Sequence, residues 1–371
     1  MEQNAKLLYR IALTKINGVG DTISRNLLNI VGDEEDVFKS SRKSLLTIPG
    51  IARKLVDAIL DPSVLQRAEE ELTFVEKNKI QALFIRDEDY PQRLKDCTDA
   101  PILLYYKGNS DLNAKRIVSI VGTRRATDYG SSFCEKFIHE LSVHFPDILI
   151  VSGLAYGIDI RAHKSALTEK LPTVGVLAHG LDRIYPAVHR RFAVEMLENG
   201  GLLTEFPSNT EPDKFNFVRR NRIVAGMADA VVVVESGGKG GALITAEIAN
   251  SYNRDVFAVP GRITDSCSEG CNTLISDNKA ILLQNAENFI RQMNWSNSDS
   301  SSAAKQRQLF LDLTDDEQRI FDALSGYDSK HVNQLAVETG VPVSQLFFTL
   351  LEMEMKNIIK PLPGGTYKIV N

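Results

Sequence analysis

The stretch DAVVVVESGGKGGALITAE, residues 229–247, joins a run of valines to a glycine-rich loop and then to a segment of helical pattern. A strand, a glycine loop and a helix often hold phosphate, because glycines admit a close ligand and the free N–H groups of the helix start face it. Lys239 lies between two glycine pairs, so the order is neither GxxxxGK[ST] nor GxGxxG. The loop predicts phosphate contact but gives no support to ATP hydrolysis or dinucleotide chemistry.

Five further apolar runs of strand length lie in the same region, separated by amphipathic segments. They are RIVSIVG (116–122), DILIVSG (147–153), PTVGVLA (172–178), GLLTEF (201–206) and DVFAVPG (255–261). Strands that are buried on both faces and alternate with helices indicate a doubly wound, mainly parallel sheet. We therefore predict an α/β domain over residues 79–293.

The first 78 residues contain two similar patterns, each with an apolar residue, a glycine turn and an amphipathic stretch. One spans residues 12–30 around NGVG, and the other spans residues 44–60 around PGI. This order is typical of a helix-hairpin-helix, as in SAM-like helical domains, whose second helix can face a phosphate. A plain helical bundle explains the pattern equally, because neither turn precedes a strongly basic helix.

The C-terminal part begins with NWSNSDSSSAAKQ, residues 294–306, which has the composition of a flexible linker. Residues 307–371 then predict three helices and a short hairpin, the pattern of a winged-helix-like domain. Its third helix carries Glu352 and Glu354, with only Lys356 and Lys360 near its end. This charge pattern favours protein contact over binding in the major groove.

Composition indicates a soluble protein of two or three domains. The chain has 371 residues, of which 43% are hydrophobic and 25% charged, and its apolar runs are too short to span a membrane. Neither a signal peptide nor a disulfide framework is evident, so we expect a cytoplasmic protein without membrane contact. The net charge is −5, and a phosphate ligand would therefore depend on the local distribution of cations.

Cations, hydroxyls and glycines follow the predicted strands at the ends where a parallel sheet binds its ligands. The most basic stretch is KFNFVRRNR, residues 214–222, which interleaves two phenylalanines with four cations and resembles a single-strand groove in composition. The alternative is an amphipathic helix start whose phenylalanines enter the core. The candidate nucleic-acid contacts are Gly122, Thr123, Arg124, Arg125, Ser152, Gly153, Gly157, Lys214, Phe217, Arg219, Arg220, Asn221, Arg222, Gly237, Gly238, Lys239 and Gly240.

Catalytic patterns are sparse. The sequence has no HExxH or GxSxG, and the CxxxC of Cys267 and Cys271 has no second pair of ligands at metal spacing. Glu235 and Glu247 are the conceivable catalytic carboxylates, although Glu235 is equally a structural partner for nearby cations. Asp159 suits a helix cap, or alternatively a partner for an arginine. We expect no enzyme activity, no cofactor and no metal.

Six motifs in one order over residues 119–275 resemble the DprA (Smf) family of DNA-processing proteins. They are SIVGTRRATDYG, VSGLAYGIDIRAHKSAL, HGLDRIYPAVHRR, FVRRNRIVAGMADAVVVVES, GGALITAEIA and VPGRITDSCSEGCNTLI. The resemblance implies a Rossmann-like domain that binds and protects single-stranded DNA and loads RecA recombinase onto it in natural transformation, without catalysis. It also implies a homodimer, with contacts at Asn272, Leu274, Ile275, Ile281 and Leu282.

Two other functions are consistent with parts of the sequence. The loop SGGKGGALITAE resembles the PGGxGTxxE loop of phosphoribohydrolases that act on nucleoside monophosphates, with Glu247 as a conceivable acid. That interpretation leaves the FVRRNR cluster and the flanking domains without a role. A winged-helix regulator that uses the sheet as a small-ligand sensor is the third possibility.

Overall fold

The computed structural model describes residues 2–295, 313–325, 329–356, 358–362 and 365–369. The chain divides into two compact units, Met1–Asn297 and Ser298–Asn371. All but the first two residues of the predicted linker, 294–306, lie outside the described residues. Among the described residues, no helix combines the length and apolar content that crossing a bilayer requires.

The first unit begins with six helices. They are α1 (Glu2–Lys15), α2 (Asp21–Val31), α3 (Glu34–Lys39), α4 (Arg42–Leu45), α5 (Arg53–Ile59) and α6 (Pro62–Lys77). Their apolar side chains, such as Ile11 and Val56, enter the same hydrophobic core as Val174 and Val231 of the sheet. The predicted boundary at residue 78 is therefore not a break between compact units.

A sheet of nine strands follows these helices. The strands are β1 (Gln81–Phe84), β2 (Leu103–Gly108), β3 (Ile117–Val121), β4 (Leu149–Ser152), β5 (Thr173–Val176), β6 (Gly200–Thr204), β7 (Ala230–Val233), β8 (Asp255–Ala258) and β9 (Ile281–Leu282). Their order is β1-β2-β6-β5-β4-β3-β7-β8-β9. The strands from β6 to β9 in this order pair in parallel, whereas β1 and β2 add an antiparallel edge.

The predicted doubly wound, Rossmann-like α/β sheet is confirmed. All six predicted strands are present, and both faces of the sheet are covered. Val118 and Ile120 of β3 pack on one side and Ile117 and Val121 on the other, because successive side chains of a strand point to opposite faces. Strands β1, β2 and β9 were not predicted, since short apolar runs do not distinguish a strand from a helix by periodicity.

Helices connect and cover these strands. They are α7 (Gln92–Lys95), α8 (Asp128–His144), α9 (Ile158–Thr168), α10 (Arg190–Met196), α11 (Lys214–Gly226), α12 (Gly241–Ser251), α13 (Glu269–Ser276) and α14 (Ala286–Gln292). From β3 the chain winds outward through β4, β5 and β6, and it then returns to place β7 on the other side of β3. The topological switch point therefore lies between β3 and β7, where open α/β sheets bind ligands.

The second unit has the predicted three helices and hairpin of a winged helix. Its elements are α15 (Asp315–Leu324), β10 (Lys330–His331), α16 (Val332–Thr339), α17 (Val343–Met355), β11 (Ile359–Leu362) and β12 (Thr366–Ile369). Thr314 caps α15 in a capping box with Glu317. Phe347, Phe348 and Leu351 of α17 are exposed, so the third helix presents an apolar face.

His163 is a buried polar residue on the side of α9 that faces the sheet. Its Nδ1 lies 2.7 Å from the Thr173 hydroxyl oxygen, and that hydroxyl donates to the Ile150 carbonyl. Because the Thr173 hydroxyl proton is donated to Ile150, Nδ1 of His163 must carry a proton and donate it to the Thr173 oxygen. Nε2 has no hydrogen-bond partner among the described residues. Burial lowers the pKa of His163 to about 3, so the imidazole is neutral in the folded protein.

We predict that His163 contributes to the acid sensitivity of the first unit. The unfolded chain binds a proton at His163 near the ordinary pKa of 6.5, whereas the folded chain binds it only near 3. Stability should therefore fall as pH drops below 6.5. Between pH 6.5 and 4 the wild type should lose about 3 kcal/mol more than His163→Asn, as measured by urea unfolding. Parallel pH profiles for the two proteins would contradict this assignment.

Candidate functional site

A cavity of about 700 Å³ opens at the carboxyl edge of the sheet, at the switch point between β3 and β7. We call it the switch-point cavity. The loops after β3 through β7 and the first turns of α9, α11 and α12 line it. The predicted contacts in its lining are Gly122, Thr123, Arg124, Lys214, Phe217, Arg220, Asn221, Gly237, Lys239 and Gly240. Sequence segments separated by more than a hundred residues thus form one site.

The loop after β3 owes its shape to two neighbouring loops. Thr123 N–H donates to the Glu235 carbonyl at 2.7 Å, and the buried Glu235 carboxylate accepts from the Thr127 amide at 2.9 Å and from its hydroxyl. Gly157 has φ +77°, and a Cβ there would lie 2.0 Å from the Thr123 carbonyl oxygen. Glu235 is therefore a structural partner of this loop. The absence of a side chain at Gly157 lets its backbone pack directly against Thr123.

Helix α11 brings an aromatic ring and cations to the cavity. Asp213 caps the helix by accepting from Asn216 N–H at 2.8 Å. The Phe217 ring centroid lies 5.1 Å from the Arg124 guanidinium carbon and 5.9 Å from that of Arg220. The Tyr185 ring is 6.0 Å away. Cations over an aromatic face are attracted to it, so Phe217 and both guanidiniums hold one another in place.

Arg220 is a buried cation at the floor of the switch-point cavity. One terminal nitrogen donates to the Val176 carbonyl at 2.7 Å, and Nε has no partner among the described residues. Gly153 leaves room for it, since a Cβ there would lie 1.8 Å from that nitrogen. Burial lowers the pKa of Arg220 while Asp159 opposes the shift, and a guanidinium remains charged in either case. The cavity therefore carries a preformed positive charge.

Asp159 lies next to Arg220 within the first turn of α9. Its carboxylate accepts from Gly153 N–H at 3.2 Å, whereas the N-cap position belongs to Gly157. The predicted capping role is therefore wrong, because the side chain turns back to the loop before the helix. Burial raises the pKa of Asp159, and the Arg220 charge opposes that rise. The residue thus helps to hold the loop after β4 and to balance Arg220.

The glycine loop after β7 forms the opposite wall. Helix α12 starts after Gly240 without a side-chain cap and without an acidic residue in its first turn. Its first N–H groups and Lys239 border the cavity, whose lining has four cations, Arg124, Lys214, Arg220 and Lys239, against the carboxylates of Asp159 and Asp213. Uncapped N–H groups and an excess of positive charge favour an anionic ligand here.

Seven predicted contacts lie outside the lining of the cavity: Arg125, Ser152, Gly153, Gly157, Arg219, Arg222 and Gly238. Ser152 is buried and donates to the Ile120 carbonyl at 2.6 Å. Arg125 and Gly238 are exposed. Tyr185, Val218 and Ser236 line the cavity but were not predicted. The IYP motif after β5 was the available signal for Tyr185.

Arg219 and Arg222 lie on the opposite side of α11, where they pair with two carboxylates. Arg222 is buried and contacts Glu205 at 2.5 Å and Asp21 at 3.1 Å. Half-exposed Arg219 reaches the same two oxygens at 2.6 and 3.2 Å. Burial raises the pKa of Glu205 to about 7, against the pull of both guanidiniums. These four side chains, the α11 clamp, join the N-terminal helices to the helix that lines the cavity.

The predicted dimer residues lie near the far edge of the sheet. Ile281 and Leu282 are partly exposed on the edge strand β9, whereas Leu274 is buried. Ile275 packs against the core, and the Asn272 side chain exchanges two hydrogen bonds with the Gly261 backbone at 3.1 Å. Within the described residues β9 pairs with β8 alone, and such a strand edge with exposed apolar side chains suits self-association.

The alternative carboxylate Glu247 is exposed on α12 and does not line the switch-point cavity. Both carboxylate oxygens of Glu235 accept hydrogen bonds from Thr127. Across the described part of the chain, no group of three metal-ligating side chains converges. No catalytic constellation is therefore apparent at the switch point in the described residues.

A doubly wound parallel sheet with a cation-lined crevice at its switch point defines a Rossmann-like protein, and the crevice lies where such proteins bind their ligands. Residues 81–294 match the family model of DNA recombination-mediator protein A, and residues 303–365 and 11–61 match those of the DprA winged helix domain and the SAM-like helix-hairpin-helix tandem. The chain belongs to the DprA (Smf) family of DNA-processing proteins, which confirms the resemblance in its motifs.

Relatives extend this assignment over most of the chain. The Smf protein of Synechocystis sp. is 35% identical over 284 residues, which cover 76% of this chain and 71% of the relative. The crystal structure of DNA processing protein A from Streptococcus pneumoniae has a TM-score of 0.63 at 32% identity. The alignment covers 77% of this chain and 97% of the S. pneumoniae chain. The Helicobacter pylori protein, solved to describe its single-stranded DNA binding mode, has a TM-score of 0.53 at 31% identity, with 58% and 96% covered.

We predict that the α11 clamp stabilises the first unit through Asp21. Asp21→Asn removes one of two carboxylates that balance the buried Arg222, and the free energy of unfolding should fall by about 1–3 kcal/mol. Asp57→Asn is the matched control, because its pair with Arg42 is exposed on both sides and should contribute little. Equal midpoints in urea for the two variants would argue against the clamp.

Proposed function

We propose that this protein binds single-stranded DNA in the switch-point cavity, protects it, and loads RecA recombinase onto it during recombination of incoming DNA, without catalysis. The observation that carries the proposal is the Phe217 ring beside two guanidiniums, with the guanidinium carbons of Arg124 and Arg220 at 5.1 and 5.9 Å from its centroid. An aromatic platform flanked by cations suits a base and its phosphates together. An inorganic anion does not stack on an aromatic ring, so the Phe217 ring favours a ligand that carries a base.

The groups that line the cavity have two tasks, phosphate contact and base stacking. Arg124, Lys214 and Lys239, with the first N–H groups of α12, are placed to neutralise phosphates. Phe217 and Tyr185 offer ring faces that stack on any base. Stacking and phosphate contact carry little sequence information, so binding should be strong in low salt and nearly independent of sequence.

The absence of catalysis is part of the proposal. Of the two carboxylates considered from the sequence, Glu235 holds the loop after β3 and Glu247 faces solvent away from the cavity. A phosphoribohydrolase would need an acid beside the bound sugar, and these positions do not favour one. The H. pylori relative, whose structure concerns single-stranded DNA, supports the polynucleotide as ligand.

Substitution of the cavity residues tests the proposal directly. Phe217→Ala should weaken binding of a dT oligonucleotide by about 1–3 kcal/mol, because it removes a base–aromatic stack. Arg124→Ala with Lys214→Ala should weaken binding and also reduce the salt dependence by about 0.7 per lost phosphate contact. Fluorescence anisotropy across a salt series measures both effects.

Arg191→Ala is the control for these variants, because that exposed arginine pairs with Glu195 and does not line the cavity. Wild-type affinity in the double variant would rule out the cavity as the DNA site.

The same proteins test the RecA step. Wild type should speed RecA filament nucleation on single-stranded DNA, and the double variant should not. No acceleration by the wild type would remove RecA loading from the proposal.

Homodimerisation through the β9 edge is the second part of the proposal. Ile281→Arg with Leu282→Arg places charges on partly exposed edge side chains and should halve the mass measured by light scattering. Affinity for long oligonucleotides should fall by about 10²-fold or more, because two linked cavities give avidity. Affinity for oligonucleotides that fill one cavity should not change. An unchanged mass would place the dimer contact elsewhere.

A further inference from the structure

Phe215 is an exposed aromatic residue that neither the fold nor the switch-point cavity uses. Its side chain is 86% exposed, which makes it the most exposed aromatic residue in the described part of the chain. The alternative from the sequence, that the phenylalanines of α11 enter the core, is wrong for this residue. In the same described residues, no ring or cation is stacked on Phe215. A phenylalanine with so little cover is costly unless a ligand covers it.

Phe215 lies in the first turn of α11, next in sequence to residues that line the switch-point cavity. Asp213, Lys214, Phe217 and Val218, on both sides of it in sequence, all line the cavity. Residues three apart share a helix face, so Phe215 neighbours Val218, which is half exposed. Val218 therefore joins the lining of the cavity to the helix face that carries Phe215.

Cations lie on both sides of Phe215 in sequence. Lys214 precedes Phe215, and Arg219 is one helical turn further along on the same side, with half of its side chain exposed. The nearby carboxylates already have partners, since Asp213 caps α11 and Glu211 pairs with Arg183. An open ring face is thus combined with the positive charge of Lys214, whereas Arg219 is already paired with Asp21 and Glu205.

We propose that Phe215 is a second base-stacking platform, which receives a nucleotide of the single-stranded DNA after the strand has left the switch-point cavity over Val218. This inference rests on the proposed function, because a polynucleotide bound in the cavity must cross its rim. The first base stacks on Phe217 and a later one on Phe215, with Lys214 between them for the backbone phosphate. Two platforms on one helix would fix the direction in which the strand crosses the protein.

A nucleobase fits this surface better than another protein does. The core of a protein interface is depleted in charge and requires a continuous apolar patch. Phe215 is instead flanked by Lys214, Asn216 and Arg219, so its apolar neighbour is Val218 alone among these positions. A single ring with cations around it is the arrangement that stacks bases and attracts phosphates.

The experiment uses the full chain with Phe215→Ala, Phe217→Ala and a series of dT oligonucleotides of increasing length. Phe215→Ala should weaken binding of the longer oligonucleotides roughly 5- to 150-fold, the effect of losing one base stack, and leave the shortest bound oligonucleotide unaffected. Phe217→Ala should weaken binding at every length. This difference in length dependence separates a second platform from the cavity itself.

Tryptophan fluorescence gives an independent readout. The chain has one tryptophan, Trp295, which packs against Phe145 and Phe289. Phe215→Trp adds a reporter at that position whose emission should be quenched by long oligonucleotides and not by the shortest. Val143→Trp is the control, because Val143 is 70% exposed at the end of α8 and belongs to the opposite, amino edge of the sheet.

The outcomes distinguish this inference from the proposed function. Wild-type affinity at every length in Phe215→Ala, with no quenching in Phe215→Trp, would overturn the second platform and leave the cavity proposal intact. A change in mass with unchanged DNA affinity would overturn it in favour of protein docking at Phe215. If the wild type binds no single-stranded DNA, the proposed function fails, and the inference fails with it.

Discussion

Helix α11 is held by two arginines whose charges are buried on opposite sides of it. Arg220 points to the floor of the switch-point cavity and donates to the Val176 carbonyl, while Arg222 pairs with Glu205 and Asp21. A buried guanidinium without partners is very unfavourable, so each arginine fixes the helix to the group that satisfies it. The position of the Phe217 ring depends on both contacts, and hence the shape of the cavity does as well.

This arrangement gives the N-terminal helices a part in the site without placing them in it. Asp21 begins α2 and reaches across to α11, and Glu71 of α6 accepts from the backbone and hydroxyl of Ser208, in the segment that leads to α11. The shared hydrophobic core joins the same elements. The region that matches the SAM-like helix-hairpin-helix tandem therefore supports the helix that lines the cavity.

Glycines at the carboxyl edge mainly allow protein groups to approach one another. Gly153 makes room for the Arg220 guanidinium, and Gly157 makes room for the Thr123 carbonyl. The sequence pattern had assigned both to the ligand, since close approach of a ligand and close approach of a neighbouring loop demand the same residue. Gly237 and Gly240 do border the cavity. Preorganised loops lower the entropy cost of binding, so both groups of glycines serve the same site.

The sequence by itself determined the alternation of strands and helices, the family motifs, and the edge of the sheet at which cations and glycines collect. These features are local, because strand runs and helix starts are set by neighbouring residues. Only the tertiary structure decided which arginines of RRNR face the cavity. Adjacent helical residues point about 100° apart. Arg222 is directed to its buried position by its ion pair with Asp21, some two hundred positions away along the chain. Long-range packing therefore separated Arg220 from Arg222, and it left Phe215 exposed to solvent.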